Sequence, residues 1–498
     1  MSRFRPFAAA FLLAALAAVP AVAETGGIPA HPRDLGFPPL AFEVPDPAAY
    51  RHELPGGIVA FVAEDRALPL VKIALTLRTG DFLEGPGEEG LAALTAAMLR
   101  RGGAGELSAE AFDERLDFLA TNLNVAAGAT STTVSLDCLS HRLDESLDLL
   151  FALLTAPRFD AARLEVEKGS LRERLAQRND DAADILAREW GWLLYGPDHV
   201  EGRQMTAAGL AALGREALVR FHRDTYRPEQ LVVAVAGDVE TKALLGELGR
   251  RLAAWKATGP AIPWPPATPE PRAVPGLYRV EKEIPQGKVV IGQLGARWER
   301  WDDPEMFGLM VMNEILGGDF TSRITQRVRS DEGLAYSAGS DYDIGLFWPG
   351  SFTVSFESKN ATVALAAKIA LEEIARIRAE PVSEAELRQA KSSFVDSFPR
   401  RFETPFQVVR TFASDMALGR PHAYWRDYRD RVRAVDADLV QRVAARHLDP
   451  ERMLMLVVGT WAEIEPGDAN GRARMGELFG GSSRQLPLRD PLTLEPRP

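Results

Sequence analysis

Cysteine is almost missing from this chain. Cys138 stands alone in 498 residues, so no intrachain disulfide can form. It lies in the alternating stretch TTVSLDCL, which reads as a strand with the thiol turned inward. Histidine is scarce too. The seven are His31, His52, His141, His199, His222, His422 and His447, and no two lie within five residues of each other. That excludes a helical His pair, in which two rings one turn apart share a face and a metal. No nucleophile-elbow phrase and no convincing triad spacing is present, which argues against a self-sufficient serine or cysteine hydrolase. Basic residues are outnumbered, 58 Lys and Arg against 70 Asp and Glu, for a formal charge of −12. A chain of that balance is a poor partner for nucleic acid.

Long apolar runs are confined to the start. In MSRFRPFAAAFLLAALAAVPAVAETGG, Arg3 and Arg5 precede an apolar run from Phe7 to Ala18. Pro20 and Ala21-Val22-Ala23 then supply a small-residue cleavage site. Residues 1–23 read as an export leader, with the mature chain starting near Glu24. Its removal takes away two arginines and no acid, moving the formal charge from −12 to −14. No Cys follows the site to carry a lipid. The expectation is a soluble periplasmic protein with no transmembrane segment in its mature chain.

The rest of the composition is ordinary for globular chains, 46% hydrophobic and 26% charged, and too long for one compact core. Residues 24–45 read as an extended arm. A strand pair follows at 58–65 and 69–80, then helices, a second strand pair at about 122–139, more helices, and the closing strand LVVAVAGDV at 231–239. Residues 256–276 carry seven prolines and read as a stiff linker. Beyond it the order recurs. LYRVEKEI and KVVIGQLGA come first, then helices at 303–316 and 320–330. The strand pair GLAYSAGSDYD and GSFTVSFES, long helices and the closing strand RMLMLVVGT complete it. Each closing strand follows a Pro-Glu phrase, TYRPEQ or HLDPER. The fold class is therefore α+β. Two homologous halves, 46–255 and 277–465, each form a mainly antiparallel sheet packed with helices, joined by the Pro-rich linker. Residues 466–498 read as a tail with little core.

One helix stands out, GEEGLAALTAAMLRRGG at 87–103. Leu91, Leu94, Met98 and Leu99 recur at helical spacing, and Gly102-Gly103 stops the run. Ala92, Ala93, Ala96 and Ala97 form a smooth face beside them. This helix resembles one found in the insulinase/pitrilysin-type zinc peptidases. The phrases FHRDTYRPEQLVVAVAGDV, LGGDFTSRITQRVRSDEGLAYSA and RRFETPFQVVRTFA strengthen the resemblance, which covers roughly residues 45–465. It is closest to the short two-subunit members, the mitochondrial processing peptidase and paired bacterial peptidases.

Active members carry H-x-x-E-H on this helix: two His ligands for zinc, and a Glu that serves as general base for the zinc-bound water. The resemblance places that motif on Ala93, Ala96 and Ala97, and a distal Glu ligand near Glu173. Read without the family, Glu173 is a solvated helix charge. The family's Arg and Tyr, seven residues apart, fall on Arg329 and Tyr336 of RSDEGLAY. Their implied role is to hydrogen-bond the substrate near the scissile carbonyl. Phe320 is implied as a groove residue, and Gly317-Gly318 as a turn permitting close backbone approach. Read without the family, Arg329 could pair with Asp331 or Glu332, and Tyr336 could be a half-buried strand residue. Arg400, Arg401 and Arg410 read as the solvated side of a helix and its approach, with an acidic partner or substrate as the alternative.

The resemblance thus implies a non-catalytic, substrate-binding subunit of an exported heterodimeric zinc metallopeptidase acting on peptides or unfolded segments. No cofactor is expected in this chain. Zinc is expected in a homologous partner subunit bearing H-x-x-E-H. The alternative is a peptide-binding or structural scaffold of the cell envelope with no catalytic role.

Overall fold

The computed structural model describes His31, Leu35, residues 41–257, Ile262, Trp264, Pro265 and residues 273–497. The expected leader at 1–23, most of the arm at 24–45 and much of the linker at 256–276 lie outside the described residues. Glu43–Pro498 forms one compact unit.

Two six-stranded sheets organise that unit. The first contains β1 (Arg51–Leu54), β2 (Ile58–Glu64), β3 (Leu70–Leu77), β4 (Asn122–Ala127), β5 (Thr132–Leu139) and β6 (Leu231–Gly237). The second contains β7 (Gly276–Glu281), β8 (Gln286–Leu294), β9 (Ala335–Tyr342), β10 (Ser351–Lys359), β11 (Leu454–Gly459) and β12 (Ser483–Leu486). Their orders are β1-β2-β6-β3-β5-β4 and β12-β7-β11-β8-β10-β9. Five strands of each share one pattern of order and pairing, so the repeat read in the sequence is a repeat of topology.

The strands expected at 58–65 and 69–80 do not pair with each other. The closing strand β6 inserts between them, parallel to β2 and antiparallel to β3. β11 does the same between β7 and β8. The reason is burial. LVVAVAG and LMLVVG are apolar on both faces, and only a central position covers both. Cys138 lies in β5 at 2% exposure, and burial pushes its thiol up to about 11.

Seven helices frame the residues singled out above: α1 (Leu91–Arg101), α2 (Ala161–Gln177), α3 (Ala182–Tyr195), α4 (Pro304–Asn313), α5 (Glu384–Ser397), α6 (Pro405–Leu418) and α7 (Ala423–Ala434). Two of them cross between halves. Ala182, Ile185 and Leu194 of α3 bury against Tyr278, Val280, Val290, Leu454, Leu456 and Val458 of the second sheet. In return α6 lies on β2 and β6 of the first. There the Phe412 ring sits 5.9 Å from Phe61 and 6.0 Å from Tyr50. Each sheet is thus covered by a helix from the other half.

The segment after 465 is not a loose tail. β12 extends the second sheet by pairing parallel to β7, and Ala473 and Met475 are buried at 0% and 1% exposure. Arg489 then reaches the buried Glu189 of α3 at 3.0 Å, and Asn179 Nδ2 donates to the Arg489 carbonyl at 2.8 Å. The low apolar content of this stretch hid it, because it is held by backbone pairing and charge.

Phe412→Ala is expected to destabilise the chain by about 3–5 kcal/mol, the range for deleting a buried aromatic. Because α6 belongs to both halves, denaturant unfolding followed by tryptophan fluorescence and by circular dichroism should shift together, as one transition. Separate shifts would contradict the helix exchange.

Candidate functional site

The alanine helix α1 begins where Glu84 caps it. Glu84 Oε1 accepts from the Ala92 N–H at 2.8 Å, and Oε2 from the Gly90 N–H at 3.1 Å. These bonds satisfy donors that a helix start leaves open. Burial pushes the Glu84 carboxyl up to about 7, with the nearby Asp81 carboxyl a smaller cause in the same direction. Arg203 Nη1 donates to the Glu84 carbonyl at 3.1 Å and ties the loop down.

The alanine face divides in two. Ala92 and Ala96 are core residues at 0% and 2% exposure, whereas Ala93 is exposed and Ala97 half-buried. Ala93 and Ala97 share a face one turn apart, as a pair of ligands would. Glu173 is exposed on α2, which packs beside α1 and is tied to it by Arg101–Glu167 at 2.8 Å. The helices that would frame a metal are therefore present. The donors do not fit one: three methyl groups have no lone pair, and a single carboxylate cannot complete a zinc sphere.

The second half assembles its three expected residues. α4 runs on into a π-helical turn at Glu314–Gly318, and a second π-helical turn spans Gln326–Asp331. Such turns place side chains out of ordinary helical phase and are frequent at functional sites. Gly317 makes this possible. A Cβ there would lie 2.3 Å from the Ser340 nitrogen on β9, so only glycine admits the approach. Phe320 follows the first turn, Arg329 stands on the second, and Tyr336 is on β9.

Tyr336 does not follow strand alternation. Ala335 pairs with Ser358 and Ala338 with Phe356, so Tyr336 and Ser337 together oppose the single residue Glu357. This β-bulge turns both side chains out to solvent, and Tyr336 is 86% exposed. The Arg329 guanidinium carbon lies 4.6 Å from the Phe320 ring centre and 5.0 Å from the Tyr336 ring centre. Each exposed cation–π contact contributes about 0.5–1 kcal/mol and holds the guanidinium in place. The ion pair that could have explained Arg329 is not formed. Glu332 is taken by Arg472 at 2.6 Å, and among the described residues Arg329 has no carboxylate within bridging distance. A positioned guanidinium and an exposed phenol are left as adjacent donors. Together they suit a carbonyl oxygen and the negative charge that develops on it.

The resemblance pointed to Arg329, Tyr336 and Phe320. The bulge and the π-helical turns that aim them had no signal in the sequence. Glu84 was not singled out either; its place between a loop and a helix start was the only available clue.

Residues 60–189 match the family described as insulinase (peptidase family M16), and residues 212–394 match the peptidase M16 inactive domain. An uncharacterized zinc protease of Mycobacterium tuberculosis is 28% identical over 433 residues, 83% of this chain and 94% of that protein. A non-peptidase homolog of Helicobacter pylori is 28% identical over 371 residues, 72% of this chain and 82% of that protein. The solved peptidase M16 inactive domain from Pseudomonas fluorescens shares the fold, with a TM-score of 0.73 at 21% identity over 82% of this chain and 97% of that one.

Glu84 makes stability depend on pH. Its folded pKa of about 7 lies above the ordinary 4.5, so the native chain keeps a proton that the unfolded chain releases in that window. Stability should fall as pH rises from about 4.5 to 7, by at most about 3 kcal/mol from this group. Urea denaturation of wild type and Glu84→Gln at several pH values isolates it. The Gln variant should show a flatter profile across the window, and an unchanged slope would remove Glu84 as the cause.

Proposed function

The chain belongs to the insulinase (M16) family of peptidases, and on that premise we propose that it is the non-catalytic, substrate-holding subunit of an exported heterodimeric zinc peptidase. The observation that carries this reading is the Arg329–Phe320–Tyr336 cluster, a cation held over two rings with no carboxylate to neutralise it among the described residues. The partner is a homologous chain bearing H-x-x-E-H, and the zinc is the partner's. The leader-like residues 1–23 support a periplasmic location. No helix among the described residues is long and apolar enough to cross a membrane.

In this division of labour the two chains close around an extended peptide. Arg329 and Tyr336 donate to the carbonyl oxygen of the bond to be cut and hold it as its charge grows. Phe320 steadies the guanidinium and gives the peptide an apolar contact. Ala93, Ala96 and Ala97 take no part in the chemistry. The relative of Helicobacter pylori described as a non-peptidase homolog is in keeping with a role without catalysis in this chain.

Reconstitution with the H-x-x-E-H homologue from the same genome tests the roles. Arg329→Ala and Tyr336→Phe should each lower peptide cleavage by about tenfold or more, the scale for losing a donor to a developing oxyanion, and leave assembly unchanged on size exclusion. Full activity in both variants would remove the proposed role.

A further inference from the structure

A second feature of the same half is a cavity of about 720 Å³ beside the C-terminal end of α5. Arg400, Arg401, Arg410 and Arg420 line it, together with Trp425 and Tyr428. Only one of the four arginines is neutralised among the described residues. Arg420 pairs with the buried Asp415 at 3.1 Å, and Trp425 Nε1 donates to the other oxygen of that carboxylate at 2.6 Å. Arg401 is stacked 4.3 Å from the Trp425 ring centre. Among the described residues, Arg400, Arg401 and Arg410 have no carboxylate within bridging distance, in a chain whose formal charge is −12. Three exposed guanidinium groups gathered around one cavity set up a local positive potential that favours an anionic ligand.

Met310 of α4 and Phe394 and Ser397 of α5 border the same cavity. Glu314, Asp319, Glu386 and Gln389 line a separate small cleft, where Glu386 is already paired with Arg323 at 2.6 Å.

We propose that the Arg400–Arg401–Arg410 pocket is a subsite for acidic side chains of an extended polypeptide held by this chain. This rests on the substrate-holding reading above and adds a substrate class to it. A polypeptide is favoured over a small free anion for two reasons. The cavity has the volume of a ligand site rather than of a single ion. Its arginines also come from two elements, the turn Phe398–Phe402 and α6, and so offer contacts to more than one side chain.

The test is fluorescence anisotropy with the full chain and two labelled peptides of equal length, one carrying a Glu-Glu-Asp run and the other Gln-Gln-Asn in its place. Wild type should bind the acidic peptide about fivefold tighter at low ionic strength, the scale of a few exposed charge contacts, with the preference shrinking as salt rises. The triple variant Arg400→Gln/Arg401→Gln/Arg410→Gln should lose the preference, and the corresponding Lys triple should keep most of it. Arg329→Ala/Tyr336→Ala should weaken both peptides alike. Equal affinities in wild type, or an undiminished preference in the Gln triple, would overturn the pocket while leaving the Arg329 site standing. A preference that persists while Arg329→Ala/Tyr336→Ala changes nothing would support the pocket and overturn the substrate-holding reading. Binding of neither peptide would overturn both. Displacement by inorganic phosphate more readily than by unlabelled acidic peptide would overturn the polypeptide assignment.

Discussion

The exchange of α3 and α6 between two sheets is the constraint on which the rest depends. Neither sheet can bury its apolar face with helices of its own half alone: Val290, Leu456 and Val458 need Ile185 and Leu194, and Phe61 needs Phe412. Covering one sheet therefore commits the other. It also fixes the geometry of the arginine pocket. α6 carries Arg410 and follows directly on the turn that holds Arg400 and Arg401, so its docking on β2 and β6 places the arginine pocket. The C-terminal segment tightens the same arrangement by clasping α3 through Arg489 and Glu189.

Duplication gave the chain two similar halves, and their chemistry has diverged. In the first half α1 is capped by Glu84 and tied to α2, and the positions that the family resemblance assigns to the zinc motif carry methyl groups. In the second half the corresponding helix runs on into a π-helical turn and a β-bulge faces it. Those two irregularities cost regular backbone hydrogen bonding. Their effect is to bring a guanidinium, a phenol and a phenyl ring together at the surface.

Much of this was legible in the sequence. The repeat, the α+β class, the inward thiol of Cys138 and the pairing of Arg329 with Tyr336 all emerged from periodicity, linker composition and family phrases. The insertion of β6 and β11 between their neighbours did not, because sequential strands normally pair and only the two-sided burial of LVVAVAG and LMLVVG argues otherwise. The reciprocal helices were invisible because an amphipathic pattern says which face is buried but not against what. Residues 466–497 escaped notice for a related reason: their attachments are a short parallel strand and polar contacts such as Arg489–Glu189, which leave no hydrophobic period. Arg400, Arg401 and Arg410 are exposed, as the solvated side of a helix and its approach would be, and the fold gathers them around one cavity, which the sequence did not show.

The central claim is that this chain supplies the donors and another chain supplies the metal. The most direct measurement is affinity purification of the mature chain from its native cells under gentle conditions, followed by mass spectrometry and zinc quantitation of the complex. The account predicts an equimolar homologue bearing H-x-x-E-H and one zinc per pair. Stoichiometric zinc in this chain alone, or a native complex with no such homologue, would contradict it.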